Sequence, residues 1–203
     1  MNLALLKSIE SFSSPAISDE RKEVLQALVQ YVQNKSINNE AIRLNFICTH
    51  NSRRSHLTQI WAQTMAYYFG IKNIFCYSGG TDNTAIFPKV IETLSNQGFQ
   101  IQKLTETENP VYAVKYAQNE APIVCFSKKY NSDFNPKNKF GAILTCDNVD
   151  QDCPLVLGAE ARISVKYKDP KAYDTTDQID EKYEECSLLI GQEMYWVFNS
   201  IKQ

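Results

Sequence analysis

The chain contains a cysteine, five further residues, an arginine and a serine, in the order CTHNSRRS over residues 48–55. Between a strand and a helix, a loop of this length lets consecutive backbone N–H groups point at one tetrahedral oxyanion. The guanidinium of Arg54 can donate two parallel hydrogen bonds to that oxyanion, which a lysine cannot do. The same positive field favours the thiolate form of Cys48, and the hydroxyl of Ser55 can donate to the sulfur. These residues predict a nucleophilic cysteine inside an anion-binding loop.

The context of the loop decides between this prediction and a simpler one. Cysteines are common in cores, so Cys48 could be a buried strand-end residue and Arg54 a solvated one. However, residues 41–48 have the apolar pattern of a buried strand, and residues 54–69 repeat apolar side chains at helical spacing up to Gly70. We therefore predict that the whole loop binds the oxyanion, through Thr49, His50, Asn51, Ser52, Arg53, Arg54 and Ser55.

Two more cysteines occur in the segment LTCDNVDQDCP, residues 144–154. Six residues separate Cys146 from Cys153, which is too many for the paired ligands of a zinc site, and no histidine is nearby. We therefore predict no metal here, and the pair is either redox-active or two unrelated thiols.

Further along, Asp169 precedes Pro170; such pairs often start turns, but Asp169 is also the best candidate for a general acid.

Strand and helix patterns alternate along most of the chain and predict an α/β fold with a four-stranded, mainly parallel sheet and helices on both faces. In such sheets, ligands bind beyond the carboxyl ends of the strands, where Cys48 lies. An antiparallel hairpin over residues 111–126 interrupts the alternation, and a helix over residues 19–34 precedes it. The chain is thus divided into an N-terminal helical extension, residues 1–40, and a catalytic domain, residues 41–203. The strands are predicted at residues 41–48, 73–78, 140–146 and 161–165, and the later helices at 54–69, 88–97 and 177–201.

Composition excludes several classes of function. The net charge of −2 and the pI near 5.8 provide no field that would attract nucleic acid or an anionic membrane. No stretch is long enough to span a membrane, and the short apolar run at residues 3–6 is too little for a secretory signal. Six cysteines in 203 residues are too few for a disulfide scaffold, so we expect a cytoplasmic enzyme.

The loop resembles that of the low-molecular-weight protein tyrosine phosphatases and of the arsenate reductases built on the same fold. Members typically carry Cys-x-Gly-Asn-x-Cys-Arg-Ser. In this chain, His50 replaces the glycine and Arg53 replaces the second cysteine, while four positions match: Cys48, Asn51, Arg54 and Ser55. The segment YSGG, residues 77–80, is similar to the Tyr-Ser-Ala-Gly of the family. The resemblance covers roughly residues 42–200.

The resemblance implies a relay of thiols, because thioredoxin-coupled arsenate reductases have a similar Cys-x6-Cys-Pro segment. Cys48 would attack arsenate, Cys146 would attack the sulfur of Cys48, and Cys153 would attack Cys146. The resulting disulfide would be reduced by thioredoxin or a small thiol, with no bound cofactor, and Asp169 would be the acid. The alternatives are a phosphatase that hydrolyses phosphotyrosine through a phosphocysteine at Cys48, and a non-catalytic oxyanion-binding module. Packing roles remain for Cys76, Cys125 and Cys186.

Overall fold

Four parallel strands form the central sheet of the protein, seen in a computed structural model that describes residues 1–13, 17–146 and 155–202. The order of the strands in this sheet is β2-β1-β6-β7, and every neighbouring pair is parallel. The predicted four-stranded parallel sheet flanked by helices is therefore confirmed. The strands of the described ranges are β1 (Ile42–Cys48), β2 (Ile74–Gly80), β3 (Gln100–Lys103), β4 (Tyr112–Lys115), β5 (Ile123–Cys125), β6 (Phe140–Leu144) and β7 (Ala159–Ser164).

Strand β1 lies inside the sheet, between β2 and β6, and is buried on both faces. Ile42, Leu44 and Phe46 point into the large core of the protein, whereas Ile47 packs on the opposite face with Phe140 and other residues of β6. This burial agrees with the sequence of β1, which alternates at first and then becomes apolar toward Cys48. The pairing also aligns Cys48 at the end of β1 with Gly80 at the end of β2.

The helices confirm the predicted positions and add one. Ser18 caps α2 by accepting a hydrogen bond from the backbone N–H of Arg21. Helix α1 was not predicted, since eight residues are too few to establish a periodicity. The helices of the described ranges are α1 (Leu3–Glu10), α2 (Asp19–Ile37), α3 (Arg54–Tyr68), α4 (Pro88–Asn96) and α5 (Ile179–Asn199). None of them is both long and apolar enough to cross a membrane.

A smaller antiparallel sheet follows α4. Strand β4 pairs with β5, which confirms the predicted hairpin, and β3 adds a third strand on the other side of β4. The sequence did not predict β3, because three of its four residues are exposed and only Ile101 is apolar.

The N-terminal residues pack into the same core as the rest of the chain. Leu5, Ile9 and Phe12 are buried in the cluster that also contains Trp61 and Phe198. The fit is close at α5, because a Cβ added to Gly191 would lie 2.6 Å from the ring of Phe12. The extension therefore contributes apolar surface to the core that supports α3 and the loop before it. The division at residue 40 stays a prediction.

Candidate anion-binding site

The predicted nucleophile lies where the sheet ends. Cys48 is the last residue of β1 and is 4% exposed, and the loop after it leads directly into α3. Gly80 lies against this loop, since an added Cβ would be 2.6 Å from the carbonyl oxygen of Thr49 and 2.8 Å from the backbone nitrogen of Asn51. Only glycine leaves room for the loop at this distance, which gives a physical reason for the YSGG segment.

The carbonyl groups of the loop all point away from its centre. Six consecutive carbonyls accept a hydrogen bond from a group beyond the loop, either from a neighbouring segment or from the first turns of α3. The donors are Thr81 N to Cys48 O (3.1 Å), Asp82 N to Thr49 O (2.8 Å), Ser127 Oγ to His50 O (2.9 Å), His56 Nε2 to Asn51 O (3.0 Å), Phe87 N to Ser52 O (3.1 Å) and Leu57 N to Arg53 O (3.1 Å).

The outward carbonyls leave the N–H groups of the loop directed inward. Within the described ranges, the backbone N–H groups of residues 49–53 donate no hydrogen bond to another residue. A cavity of about 200 Å³ lies at the loop; Asn51 and Ser55 are not among its lining residues, which are Cys48, Thr49, His50, Ser52, Arg53, Arg54, Asp169 and Lys171. The first turn of α3 adds its partial positive charge, and no side chain caps it. The arrangement can accept the several oxygens of a tetrahedral anion.

A short chain of hydrogen bonds orients a proton toward the thiol. The side-chain amide of Asn51 donates to Ser55 Oγ at 2.9 Å, and Ser55 Oγ lies 3.1 Å from Cys48 Sγ. Because the oxygen of Ser55 accepts from Asn51, its own hydrogen is available for the sulfur. The hydroxyl of Ser55 is therefore placed to donate to the sulfur of Cys48. Asn51 can hold this position because it has a φ of 46°, and its Oδ1 accepts from the backbone N–H of Lys128 at 2.9 Å.

The two departures from the family motif have different consequences. His50 does not have a positive φ, so the histidine replaces glycine without backbone strain. The guanidinium of Arg53 is already engaged: it donates to Asp174 at 2.5 Å and to the hydroxyl of Tyr183 at 2.6 Å, and it lies 4.3 Å from the ring centroid of Phe87. Arg53 thus offers its backbone N–H to the cavity, while its side chain ties the loop to α5.

Arg54 and Asp169 lie side by side in the wall of the cavity. Their side chains form an ion pair, and Arg54 Nη1 also donates to the carbonyl of Tyr167 at 3.0 Å. The other oxygen of Asp169 accepts from the backbone N–H of Lys171 at 3.1 Å and caps a 3-10 turn over Pro170–Tyr173. The carboxylate is 38% exposed, so it can exchange protons with water. The predicted acid therefore lies beside the predicted anion.

Cys146 lies on the same edge of the sheet. Strand β6 is the neighbour of β1, and Thr145 continues that pairing by donating from its backbone N–H to the carbonyl of Ile47 at 2.8 Å. The next residue, Cys146, is 2% exposed, and its Sγ is 3.6 Å from Thr49 Oγ1. The structure thus brings Cys146 to the residue that follows Cys48. Cys153 lies outside the described residues.

Sequence reasoning missed the residues that support the loop from behind. His56 is fully buried; its Nε2 donates to the carbonyl of Asn51, so its Nδ1 accepts from the hydroxyl of Ser78 at 3.2 Å. Burial, with a smaller contribution from the charge of Lys128, holds the pKa of His56 well below its usual value, and the ring is neutral. A polar residue on the buried side of α3 was the one available signal.

Lys128 is a second buried support. Its side chain is close to the rings of Phe126 and Phe134, with the ammonium 4.5 Å and 5.2 Å from their centroids, and it donates to the carbonyl of Phe126 at 3.2 Å. Burial lowers the pKa of Lys128 to about 8. Because nothing in the segment FSKKYN suggests burial, the sequence did not indicate this role.

The surroundings of the other three described cysteines disfavour the reactive thiolate form. Burial raises the pKa of Cys76 well above its usual value, and it raises the pKa of Cys125 and of Cys186 to about 12. All three are therefore neutral thiols at neutral pH, which agrees with packing roles. In the described ranges, no group of three His, Cys, Asp or Glu side chains could hold a metal ion.

Part of this sequence matches a known protein family, and the fold is similar to that of solved structures. Residues 43–115 match the model of a family described as low molecular weight phosphotyrosine protein phosphatase. A search of curated proteins found no match.

Three solved structures share most of the fold at low sequence identity. A low molecular weight phosphotyrosine phosphatase from Vibrio cholerae O395 is 15% identical, with a TM-score of 0.52 over 77% of this chain and 93% of that one. An arsenate reductase in the phosphate binding state is 15% identical, with a TM-score of 0.50 over 79% and 99%. A YwlE mutant from Bacillus subtilis is 10% identical, with a TM-score of 0.51 over 78% and 97%. At these identities the likeness concerns the fold alone.

Proposed function

We propose that this protein, which has the low-molecular-weight phosphatase fold, is an arsenate reductase with Cys48 as nucleophile and Cys146 and Cys153 as the thiols that take up the oxidation. The observation that supports this best is the position of Cys146, whose Sγ lies 3.6 Å from Thr49 Oγ1 beside the anion loop. Hydrolysis of a phosphate ester needs one thiol and one acid, and it would leave Cys146 without a role. Reduction needs a second thiol at this place.

The first step uses the loop, the arginine and the acid. Arsenate binds to the inward N–H groups and to Arg54, which stabilise its negative charge. The thiolate of Cys48 attacks arsenic, so that a sulfur–arsenic bond forms as an arsenic–oxygen bond breaks. Asp169 donates a proton to the departing oxygen, which leaves as water.

The second and third steps move two electrons from sulfur to arsenic. The thiolate of Cys146 attacks the sulfur of Cys48; a disulfide forms, and the electron pair of the sulfur–arsenic bond stays on arsenic, which leaves as arsenite. The thiolate of Cys153 then attacks Cys146 and releases the thiolate of Cys48. The product is a disulfide between Cys146 and Cys153.

An external thiol must reduce this disulfide before the next turnover. Thioredoxin is our first candidate and a small thiol the second, and the proposal requires no bound cofactor. Because such a cycle needs a compartment that keeps thiols reduced, we place the protein in the cytoplasm.

A phosphatase is the second candidate, and the pairing of Arg54 with Asp169 favours it. The loop, the thiol and a carboxylic acid suffice for the hydrolysis of phosphotyrosine: Cys48 takes the phosphoryl group, Asp169 protonates the leaving oxygen, and water then attacks the phosphocysteine. The description of the matched family model agrees with this activity. Phosphotyrosine hydrolysis gives no reason for Cys146 to lie at the loop.

The test compares arsenate turnover with aryl phosphate hydrolysis in matched cysteine variants. Arsenate-dependent oxidation of NADPH is measured with thioredoxin and thioredoxin reductase, and arsenite is quantified in single-turnover reactions. We expect Cys146→Ser to produce no arsenite. We expect Cys153→Ser to produce one equivalent of arsenite and to retain a disulfide between Cys48 and Cys146, which peptide mass spectrometry would detect. Cys186→Ser is the control and should keep full turnover, because this partly exposed thiol has no part in the relay.

Each outcome distinguishes the candidates. If Cys146→Ser and Cys153→Ser sustain arsenate turnover, the relay is wrong. Hydrolysis of aryl phosphate without any arsenite would favour the phosphatase. If neither substrate is converted, the oxyanion-binding module replaces both.

A further inference from the structure

Helix α2 reaches the segment that carries Asp169 through one side chain. Arg21 binds Glu193 of α5 with two hydrogen bonds, from Nε to Oε1 at 2.6 Å and from Nη2 to Oε2 at 2.7 Å. The same Nη2 donates to the backbone carbonyl of Lys166 at 3.1 Å, and the guanidinium lies 5.1 Å from the ring centroid of Tyr167. Arg21 thus joins α2, α5 and the backbone that follows β7.

The buried partner determines the direction of this arginine. Glu193 is only 2% exposed, so its carboxylate depends on Arg21 for its charge-assisted hydrogen bonds. Two parallel hydrogen bonds to Glu193 hold the planar guanidinium in one orientation. In that orientation its remaining donor capacity is directed at the carbonyl of Lys166. The guanidinium of Arg21 is therefore held in one orientation, unlike that of a mobile surface arginine.

The carbonyl beside that of Lys166 is held by the anion site itself. Arg54 donates to the carbonyl of Tyr167 at 3.0 Å and pairs with Asp169 two residues later. Two arginines therefore hold neighbouring carbonyls of one short segment, one from the N-terminal extension and one from the anion loop. Arg21 lies outside residues 43–115, the part that matches the family model.

An open cavity lies beside this segment on the side of Arg21. A cavity of about 540 Å³ lies between α2, the residues 166–170 and α5, and its lining includes Arg21, Asp169, Leu189 and Glu193. The ring of Tyr167 is 5% exposed and belongs to the core, whereas the backbone beside the cavity is held by the hydrogen bond from Arg21 to the carbonyl of Lys166. The side chain of Arg21 crosses the edge of this cavity and connects α2 to the segment, and we call this connection the strut.

We propose that Arg21, oriented by Glu193, is a positioning residue that keeps the Lys166–Asp169 segment in place so that Asp169 can deliver its proton at the anion site. The N-terminal extension thereby serves the chemistry as well as the core. This inference rests on the proposed role of Asp169 as the acid, which the arsenate reductase and the phosphatase share.

The test requires a variant that removes the strut and still folds. Arg21→Met alone would leave the carboxylate of Glu193 buried and unpaired, so the double variant R21M/E193M replaces the pair with two apolar side chains of similar size, which proteins often tolerate. Lys22→Met is the matched control: it removes a neighbouring cation of α2 whose ion pair with Asp19 is exposed.

The first readout is hydrogen exchange, which does not depend on activity. The amide of Tyr167 donates to the carbonyl of Thr145, and the amide of Lys171 donates to Asp169. We expect peptides covering residues 166–174 of R21M/E193M to exchange about tenfold faster, while peptides covering residues 48–55 keep their rate. Lys22→Met should change neither. Unchanged exchange at residues 166–174 in the double variant would overturn the inference.

The second readout is the dependence of hydrolysis on the leaving group. An acid matters most for a poor leaving group, so loss of its alignment should slow phenyl phosphate about tenfold more than 4-nitrophenyl phosphate. A variant that merely loses folded protein would slow both equally, and an equal loss would overturn the inference. Asp169→Asn must show the larger effect. If Asp169→Asn affects both substrates alike, the acid assignment fails, and the strut is then judged by hydrogen exchange alone.

Discussion

Arg54 and Asp169 form an ion pair in the wall of the candidate anion cavity, so this carboxylate would compete with a bound oxyanion for the guanidinium. An oxyanion that accepts the Nη2 hydrogen bond now donated to Asp169 would displace the carboxylate. Once displaced, Asp169 remains tethered beside the anion through its hydrogen bond from the Lys171 N–H. The ion pair would therefore lower the affinity for the oxyanion, while the hydrogen bond from Lys171 would keep Asp169 beside the cavity.

Asp169→Asn is predicted to bind phosphate or arsenate more tightly and to turn over more slowly. A partly exposed ion pair contributes up to about 1 kcal/mol, so its removal should lower the Kd of the oxyanion about fivefold. Loss of the acid should reduce kcat about 100-fold or more. Isothermal titration with phosphate and steady-state kinetics measure the two effects.

The control for this prediction is Asp177→Asn, which makes the same change of charge at an exposed position further along the segment. We expect it to alter neither affinity nor kcat. A Kd that falls equally in both variants would mean that general electrostatics, and not the ion pair with Arg54, limits binding.

His56 makes the stability of the protein depend on pH. Its pKa is depressed in the folded protein, mainly by burial, so the unfolded chain takes up a proton that the native state excludes. The contribution of His56 to the free energy of unfolding is therefore complete above pH 6.5, the usual pKa of a histidine. It falls as the pH drops toward the depressed pKa, by at most about 1.4 kcal/mol per pH unit. Urea titrations between pH 5 and 7 measure this slope.

His56→Gln tests the assignment, since glutamine can still donate to the carbonyl of Asn51 but does not titrate. This variant should have a flatter stability profile between pH 5 and 6.5. His50→Gln, which removes the exposed histidine, should keep the slope of the original protein. Identical slopes in all three proteins would show that other groups cause the pH dependence.

Gly80→Ala should damage the anion loop directly. The new Cβ would lie 2.2 Å from the carbonyl oxygen of Asp82, 2.6 Å from that of Thr49 and 2.8 Å from the backbone nitrogen of Asn51, so the loop and the residues around Asp82 must move apart. We expect a loss of about 1–3 kcal/mol in the free energy of unfolding, as for other overpacked sites, and at least a tenfold weaker binding of phosphate. Chemical denaturation and phosphate titration measure the two quantities.

Gly70→Ala is the matched control. Gly70 has a φ of 71° and follows the end of α3 that is opposite to the loop. Alanine there should cost about 1 kcal/mol of stability through its backbone conformation but leave phosphate binding unchanged. Equal losses of binding in the two variants would remove the special role of Gly80.

Much of the fold could be predicted from local patterns. The apolar residues between Ile42 and Cys48 mark a buried strand, and those at helical spacing after Arg54 mark the buried side of a helix. Such a pattern is visible without knowing which elements pack against it. The missed elements are α1 and β3. Each is short, and β3 is mostly exposed, so too few residues repeat to form a pattern.

The sequence by itself was enough to predict the candidate anion loop, because its N–H groups, its thiol and its arginine are contiguous and their geometry follows from a strand, a turn and a helix. Only the tertiary structure decided what surrounds the loop. The hydrogen bond from Ser127 to His50 spans 77 residues, and the pair of Arg21 with Glu193 spans 172. Contacts over such separations arise from the packing of whole elements, and no local spacing of residues encodes them.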